Sequence, residues 1–316
     1  MDAHPKKAFV LGAGLGTRLR PLTLVRPKPL MPIFGKPLIT FALDHLRSVG
    51  IESFVINTHH LPEQFDALFQ SGEYAGAPVK LVYEPALLET GGGIKNAEPW
   101  IGGGTFIVYS GDILTDIDVA ALVGEHLRMK NDVTLALRNT GLATGVAFAD
   151  GRVVDIGGKL GHPGQFDFAN VSVWNAGIFS RIPAGRKISF VPVLVEWIAQ
   201  GGSIGGLVLD DRQWFNIGSR AEYLAVHKFI GEKFWKPAYV DMLDWPARVG
   251  AGANLDPTAT VSASTVVGAG ARVGSGAVLE NCILWNDAEI ASGARLRDCI
   301  VTTNRRVEGS HTGEDI

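Results

Sequence analysis

Two cysteines, Cys282 and Cys299, are all that a chain of 316 residues contains. They are too few for a disulfide scaffold and lack zinc-site spacing, so both are expected to pack as small apolar residues. The chain also lacks any uncharged apolar run near the roughly 20 residues that a bilayer span requires. Residues 1–10 (MDAHPKKAFV) show neither the apolar stretch nor the cleavage site of a secretory signal. A cytoplasmic protein with no membrane partner is the expectation. Charge of one sign is not in excess, since 29 Lys and Arg stand against 32 Asp and Glu for a net charge of −3. That balance argues against a nucleic-acid partner and leaves room for a local basic pocket that holds a phosphate. Long polar tracts are missing too, and 46% hydrophobic with 19% charged residues describes a globular chain. At roughly 150 residues per domain, the length predicts about two domains.

Nucleophilic-triad chemistry has no support, because no Ser-His-Asp or Cys-His constellation is present. His59 and His60 are adjacent at a strand end, where successive side chains point to opposite faces, so they read as loop or cap residues rather than a chelating pair. Glycine is plentiful instead: 39 residues spread along the chain imply many turns and close backbone approaches.

From residue 7 to about 138, short β-branched runs at 8–11, 54–57, 79–83, 106–109 and 133–137 alternate with helix-period segments at 38–49, 63–69 and 117–129, the last capped by Thr115 or Asp116. This alternation predicts an α/β fold, a mostly parallel sheet with helices on both faces, which binds ligands at the carboxyl ends of its strands. Residues 139–235 add strands at 146–148, 171–174 and 204–209 and helices at 191–199 and 221–234, with no linker-like break. The organisation expected is a first domain over 1–236, a linker over 237–247, repeats over 248–308 and a flexible tail over 309–316. In the repeats an aliphatic residue recurs every sixth position, at Val249, Leu255, Val261, Val267, Val273 and Leu279, and after a one-residue slip at Leu284, Ile290 and Leu296. A six-residue period with small residues between means a β-solenoid of roughly three coils, the aliphatic residue pointing inward.

Chemistry concentrates behind the first strand, in Leu11-Gly12-Ala13-Gly14-Leu15-Gly16-Thr17-Arg18. Glycines at alternate positions let the backbone turn and aim N–H groups at an anion, to which Arg18 and Arg20 add charge. The dinucleotide fingerprint fails because Thr17 stands where a glycine is needed, and the P-loop fails at its Gly-Lys-Ser/Thr. The continuation Arg26-Pro27-Lys28-Pro29-Leu30 holds Lys28 between prolines, in an extended loop that delivers its ammonium to one place. Ser110-Gly111-Asp112 ends a buried strand, where an acid is costly unless it binds something.

The run GxGTRLxPLT followed by PKPL resembles the signature of the sugar-1-phosphate nucleotidyltransferases, some of which carry a C-terminal left-handed β-helix. The resemblance implies a Rossmann-like mixed-sheet domain followed by a short left-handed parallel β-helix. It also implies transfer of a nucleotidyl group from a nucleoside triphosphate to a sugar 1-phosphate, with release of pyrophosphate and Mg²⁺ as cofactor. On this reading Leu11, Gly12, Ala13, Gly14, Gly16, Thr17, Arg18 and Lys28 bind the nucleotide, together with Glu89, Thr90 and Gly92 of the second glycine segment and with Gly111 and Asp112. The catalytic set is Arg18, Lys28 and Asp112. Gly145, Lys159, Asn170 and Asn216 lie on the sugar side, and Asp112 with Asn216 holds the metal. Leu88-Glu89-Thr90-Gly91-Gly92-Gly93 is similar to the uridylyl enzymes and favours UTP, with GTP next.

Two departures matter. Gly158 stands where relatives have an acid before Lys159, and Asn216 stands where the family has a second metal carboxylate. An amide oxygen still ligates a hard cation but brings no negative charge. Asn216 therefore supports an alternative, a non-catalytic regulatory subunit that binds a nucleotide sugar. A second activity as an acyltransferase is disfavoured, since residues 249–301 contain no histidine to act as base. The repeats are instead expected to join subunits into a homo-oligomer.

Overall fold

The computed structural model describes residues 4–142 and 144–316; the first three positions of the leader reading and Ala143 lie outside the described residues. The chain forms two compact units, Met1–Leu15 with Phe41–Trp214 and Gly16–Thr40 with Phe215–Ile316. This division is discontinuous, whereas the sequence suggests boundaries in chain order near 236 and 248. Residues 16–40 join the C-terminal part for a physical reason. The Tyr223 hydroxyl donates to the Pro32 carbonyl at 2.6 Å, Trp245 Nε1 donates to the Ile33 carbonyl at 3.2 Å, and Phe34 stacks on His227.

The first unit is built on a ten-stranded mixed sheet. Its order is Val146–Ala149, Arg152–Ile156, Ile204–Val208, Val133–Arg138, Asp167–Asn175, Thr105–Ser110, Lys7–Leu11, Ser53–Thr58, Ala77–Tyr83 and Glu73–Tyr74. Ala8, Phe9 and Val10 are fully buried, as expected for a central strand covered on both faces. Lys7–Leu11 runs parallel to Ser53–Thr58 and Thr105–Ser110, with Leu11 level with Asn57 and Ser110. Segments leaving these strands therefore emerge along one carboxyl edge. Helices of this unit form at Pro62–Leu68, Val119–Met129 and Phe190–Ala199, close to the periodicity; Leu38–Ser48 falls largely in it, and Arg220–Lys233 belongs to the second unit. The cap of Val119–Met129 is neither Thr115 nor Asp116. Asp118 accepts from Ala121 N at 2.8 Å, while Thr115 Oγ1 donates to the Gln213 carbonyl and Asp116 accepts from Gln213 N.

In the second unit the hexads stack as parallel β-sheets, two of four strands and one of three, the architecture of a left-handed β-helix. Val267, Val273, Leu279, Leu284, Ile290 and Leu296 point into its core. The slip between Leu279 and Leu284 repeats between Leu296 and Val301, so it is one short side of the coil rather than an accident. Asn281 and Asp298 turn these short corners with φ near 50°, and Cys282 and Cys299 follow in equivalent buried places. Residues 309–316 are not a loose tail. Ser310–Thr312 pairs with Arg295–Arg297, Ile316 exchanges backbone hydrogen bonds with Ile300 and Thr302, and Arg220 meets Asp315 at 2.6 Å.

Candidate active site

The residues that the sequence singles out fall in both units. In the first unit, Gly12 follows the end of Lys7–Leu11, and its N–H is not aimed at an anion: it donates to Asn57 Oδ1 at 2.8 Å. A Cβ at position 12 would lie 2.6 Å from the Asn57 carbonyl oxygen, so a close approach requires this glycine. Gly14 is different, with nothing within 4 Å of an added Cβ. Among the described residues, no acceptor takes the N–H of Ala13, Gly14 or Leu15. Those amides can be offered to a phosphate.

Asn57 continues inward. Its Nδ2 donates to Glu84 Oε1 at 2.8 Å, and Glu84 Oε2 accepts from Leu88 N at 3.0 Å. Glu84 is fully buried. A polar chain from Gly12 through Asn57 and Glu84 to Leu88 thus ties the first glycine segment to the second. Neither Asn57 nor Glu84 is evident from the motifs; the one sequence signal is an acid directly behind a strand and ahead of Pro85.

The second glycine segment is a helix, Glu89–Asn96. Its three glycines have structural causes: a Cβ on Gly91 would lie 2.9 Å from the Ile188 carbonyl oxygen, on Gly92 2.3 Å from that of Arg186, and on Gly93 2.8 Å from Asn57 Nδ2. Backbone packs on backbone here, and Gly92 N donates to the Ile188 carbonyl at 2.9 Å. Thr90 Oγ1 accepts from Phe190 N at 3.2 Å. Glu89 has φ 62°, a left-handed conformation that is strained for a side-chain-bearing residue, and faces Lys187 at 3.7 Å.

Gly111 N donates to the Leu11 carbonyl at 2.9 Å, which places half-buried Asp112 where the chain leaves the sheet beside Leu11. Further along, the Gly145 carbonyl accepts from Gly157 N at 2.6 Å. Lys159 is exposed, and its backbone is fixed by Asp155, whose carboxylate accepts from the N–H groups of Lys159, Leu160 and His162 at 2.7–3.0 Å. Burial alone would raise the Asp155 pKa, but these N–H groups outweigh it and hold the carboxyl below its ordinary value. Asn170 has φ 61° inside an irregular stretch of Asp167–Asn175, a conformation that glycine and asparagine tolerate best. Beside it, Trp214 Nε1 donates to the Ala169 carbonyl at 2.9 Å, and Arg138 lies over the Trp214 ring at 4.9 Å with its buried Nε unpaired.

In the second unit, Gly16 has φ 60°, and a Cβ there would lie 2.8 Å from Thr23 Cγ2. Thr23 Oγ1 closes this turn on the Gly16 carbonyl at 2.9 Å. Thr17–Leu19 is a 3₁₀ turn with Arg18 exposed. Lys28 does not sit in an extended loop: it opens a 3₁₀ turn, Lys28–Leu30, and is 8% exposed. The prolines fix it as expected, but the local hydrogen bond from Met31 N to the Lys28 carbonyl (3.1 Å) curls the segment. A Cβ on Gly218 would meet Asn216 Nδ2 at 2.8 Å and Arg18 Nη2 at 2.9 Å, so these two side chains are neighbours across that glycine. Glu222 Oε2 accepts from Gly218 N and Ser219 Oγ and is used in capping Arg220–Lys233.

Residues 7–233 match the family model described as nucleotidyl transferase. The mannose-1-phosphate guanylyltransferase of Mycobacterium tuberculosis is 32% identical over 297 residues, covering 92% of this chain and 82% of that protein. The N-acetylmuramate alpha-1-phosphate uridylyltransferase of Neisseria meningitidis is 46% identical over 116 residues, 36% of this chain and 50% of that one. Among solved structures, the inositol-1-phosphate CTP transferase from T. maritima superposes with a TM-score of 0.58 at 20% identity, covering 70% of this chain and 93% of that one. This chain belongs to the nucleotidyl transferase family. It is an enzyme of the sugar-1-phosphate nucleotidyltransferase type.

A nucleotidyl transferase of this type generally uses a divalent metal, and its residues can be tested for one. No group of three or more His, Cys, Asp or Glu able to hold a metal occurs among the described residues. A cation such as Mg²⁺ keeps several waters and takes substrate phosphates, so it needs only one or two protein carboxylates. In the first unit Asp112 carries a carboxylate of that kind, and the described residues of this nucleotidyl transferase do not form a closed protein cage for a metal.

Proposed function

We propose that this enzyme transfers a nucleotidyl group to a sugar 1-phosphate with UTP as the favoured donor and GTP next, using Mg²⁺. The observation that supports it most is the buried chain from Gly12 to Leu88, which fixes both glycine segments at the carboxyl edge of parallel strands, the edge where such sheets bind ligands. The nucleophile is a phosphate oxygen of the sugar 1-phosphate, anionic at neutral pH, so no general base is needed. The protein's work is alignment for attack on the α-phosphorus and neutralisation of charge on the phosphates. The amides of Ala13, Gly14 and Leu15 receive the triphosphate, Arg18 and Lys28 counter its charge, and Gly145, Lys159 and Asn170 hold the sugar phosphate. Asp112 and Asn216 hold Mg²⁺, which when bound offsets negative charge on the phosphates. Glu89, Thr90 and Gly92 border the base.

The preference for UTP rests on the Glu89–Gly93 run, similar to uridylyl enzymes; GTP follows because the mycobacterial relative that covers 92% of the chain is named a guanylyltransferase. The β-helix is proposed to join subunits. A cytoplasmic setting agrees with the absence, among the described residues, of a helix long and apolar enough to cross a membrane. The test is pyrophosphate release with Mg²⁺, crossing five nucleoside triphosphates with a panel of sugar 1-phosphates that includes N-acetylmuramate and mannose forms. Turnover with UTP above the rest carries the reading; turnover with another base corrects the donor. A regulatory subunit, the reading Asn216 favours, requires silence across the panel with nucleotide-sugar binding intact.

A further inference from the structure

One indole sits at an unexpected place in the β-helix. Gly268, Trp285 and Thr302 enter equivalent corners of successive coils, each behind a short strand, Val266–Val267, Ile283–Leu284 and Ile300–Val301. The neighbouring coils make do with a glycine and a threonine there, yet Trp285 is 2% exposed. Arg26 covers it, with the guanidinium carbon 5.1 Å from the ring centroid. A planar cation suits an indole face. The same guanidinium reaches Thr303 Oγ1 only at 3.5 Å, too long for a strong hydrogen bond. Burial lowers the Arg26 pKa from arginine's ordinary value. Among the described residues no carboxylate forms an ion pair with Arg26 or with Arg305.

Arg26, Trp285, Thr303, Asn304 and Arg305 line one cavity of about 350 Å³. That is the lower end of the range for small-molecule sites, roughly 300–1,000 Å³. Two guanidinium groups with a hydroxyl and an amide are a donor set for phosphate oxygens. The indole adds an apolar floor for a compact organic body. We propose that this cavity is an effector pocket for a phosphomonoester the size of a sugar phosphate, a ligand the transfer reaction itself does not require there.

The pocket grips the segment that carries Lys28 at both ends. Arg26 enters it one residue before Pro27, whose carbonyl accepts from Leu30 N at 2.9 Å. Trp285 Nε1 donates to the Tyr223 hydroxyl at 3.1 Å, which donates in turn to the Pro32 carbonyl at 2.6 Å. An anion that draws Arg26 towards Arg305 competes with its seat on Trp285 and so biases the position of the Lys28 turn between these anchors. A ligand that prefers one placement of Arg26 changes the enzyme's affinity for the triphosphate by that preference.

The test is titration calorimetry of the full chain with glucose 6-phosphate, glucose and inorganic phosphate, a readout independent of turnover and therefore of the proposed reaction. Saturable binding of glucose 6-phosphate is expected, with none of glucose and weaker binding of inorganic phosphate. Arg305→Ala and the conservative Arg26→Lys should each weaken it about tenfold or more, and Lys159→Ala should not. Saturating glucose 6-phosphate should also shift KM for the triphosphate in the wild type but not in Arg305→Ala. Arg305 is exposed, so that variant is expected to fold. Binding lost in Lys159→Ala and kept in Arg305→Ala would put the ligand in the reaction site and overturn the proposal. No binding at roughly 10 mM, an affinity below any useful effector, would also overturn it.

Discussion

Glu84 has no place in the recognisable motifs, yet the geometry predicts that both stability and nucleotide affinity depend on it. Its two carboxylate oxygens accept from Asn57 Nδ2 at 2.8 Å and from Leu88 N at 3.0 Å, in a site with no solvent exposure. Glu84→Gln conserves the shape but offers one carbonyl oxygen, so one of these donors must face an NH₂ group. Flipping the Asn57 amide does not help, because Asn57 Oδ1 already accepts from Gly12 N at 2.8 Å and the orphan would only move to Gly12. One buried unsatisfied donor costs about 1–3 kcal/mol, and Glu84→Ala, which strands two, about 2–6 kcal/mol. Urea unfolding should rank wild type above Gln above Ala. Because the chain positions Gly12 and Leu88 rather than touching the reacting atoms, KM for the triphosphate should rise more than kcat falls. A Gln variant with the wild-type unfolding midpoint and wild-type KM would refute the argument.

Three other perturbations have defined outcomes. Lys28→Ala and Asp112→Ala should each lower turnover by roughly 10²–10³-fold without unfolding the protein, by analogy with the loss of one charge-stabilising group; wild-type rates in either would remove that residue from the catalytic set. Burial lowers the pKa of His45 and His227 to about 4. The unfolded chain takes up these protons first as pH falls, so stability should drop between about pH 6.5 and pH 4, by up to roughly 3 kcal/mol per histidine, and level off below; a flat melting temperature over that window in wild type would contradict both burials. Burial pushes the Cys282 thiol up to about 12, and Cys299 is buried with it. Neither should react with a thiol reagent at neutral pH until the protein unfolds, and prompt labelling of the native enzyme would count against the packed core.

Much of this architecture is legible in the sequence because it is periodic. A strand such as Val133–Arg138 announces itself through a short apolar run broken only by Thr134, and the solenoid through an aliphatic residue in every sixth place. What was not legible depends on contacts distant in sequence. The gathering of residues 16–40 with the C-terminal part rests on Tyr223 reaching Pro32 and Trp245 reaching Ile33, for which no local pattern exists. The last coil escaped for a related reason: Ser310–Thr312 carries no aliphatic residue to continue the hexad, and it is held by pairing with Arg295–Arg297 instead. Among the proposed site residues, Arg18, Lys28 and Asp112 were visible as charges in rigid or buried settings. Asn57, Glu84 and Asp155 were not, because a side chain that holds backbone amides leaves no motif of its own.

Glycine shows why a site motif alone underdetermines a site. Gly12, Gly14 and Gly16 look alike in the sequence, and the same reading extends to Gly91, Gly92 and Gly93. In the structure, Gly12 is required by the Asn57 backbone, Gly16 by its φ of 60° and by Thr23, and the later three by the backbone of residues 186–190 and by Asn57. Of these six, Gly14 alone meets nothing within 4 Å, so packing gives no reason for it. A glycine where a side chain would fit leaves its backbone open to whatever approaches it. Gly14→Ala therefore separates the two kinds. It should leave the unfolding midpoint near wild type and raise KM for the triphosphate, whereas Gly12→Ala should lower both stability and affinity. Equal damage to stability from the two substitutions would show that Gly14, too, answers to packing.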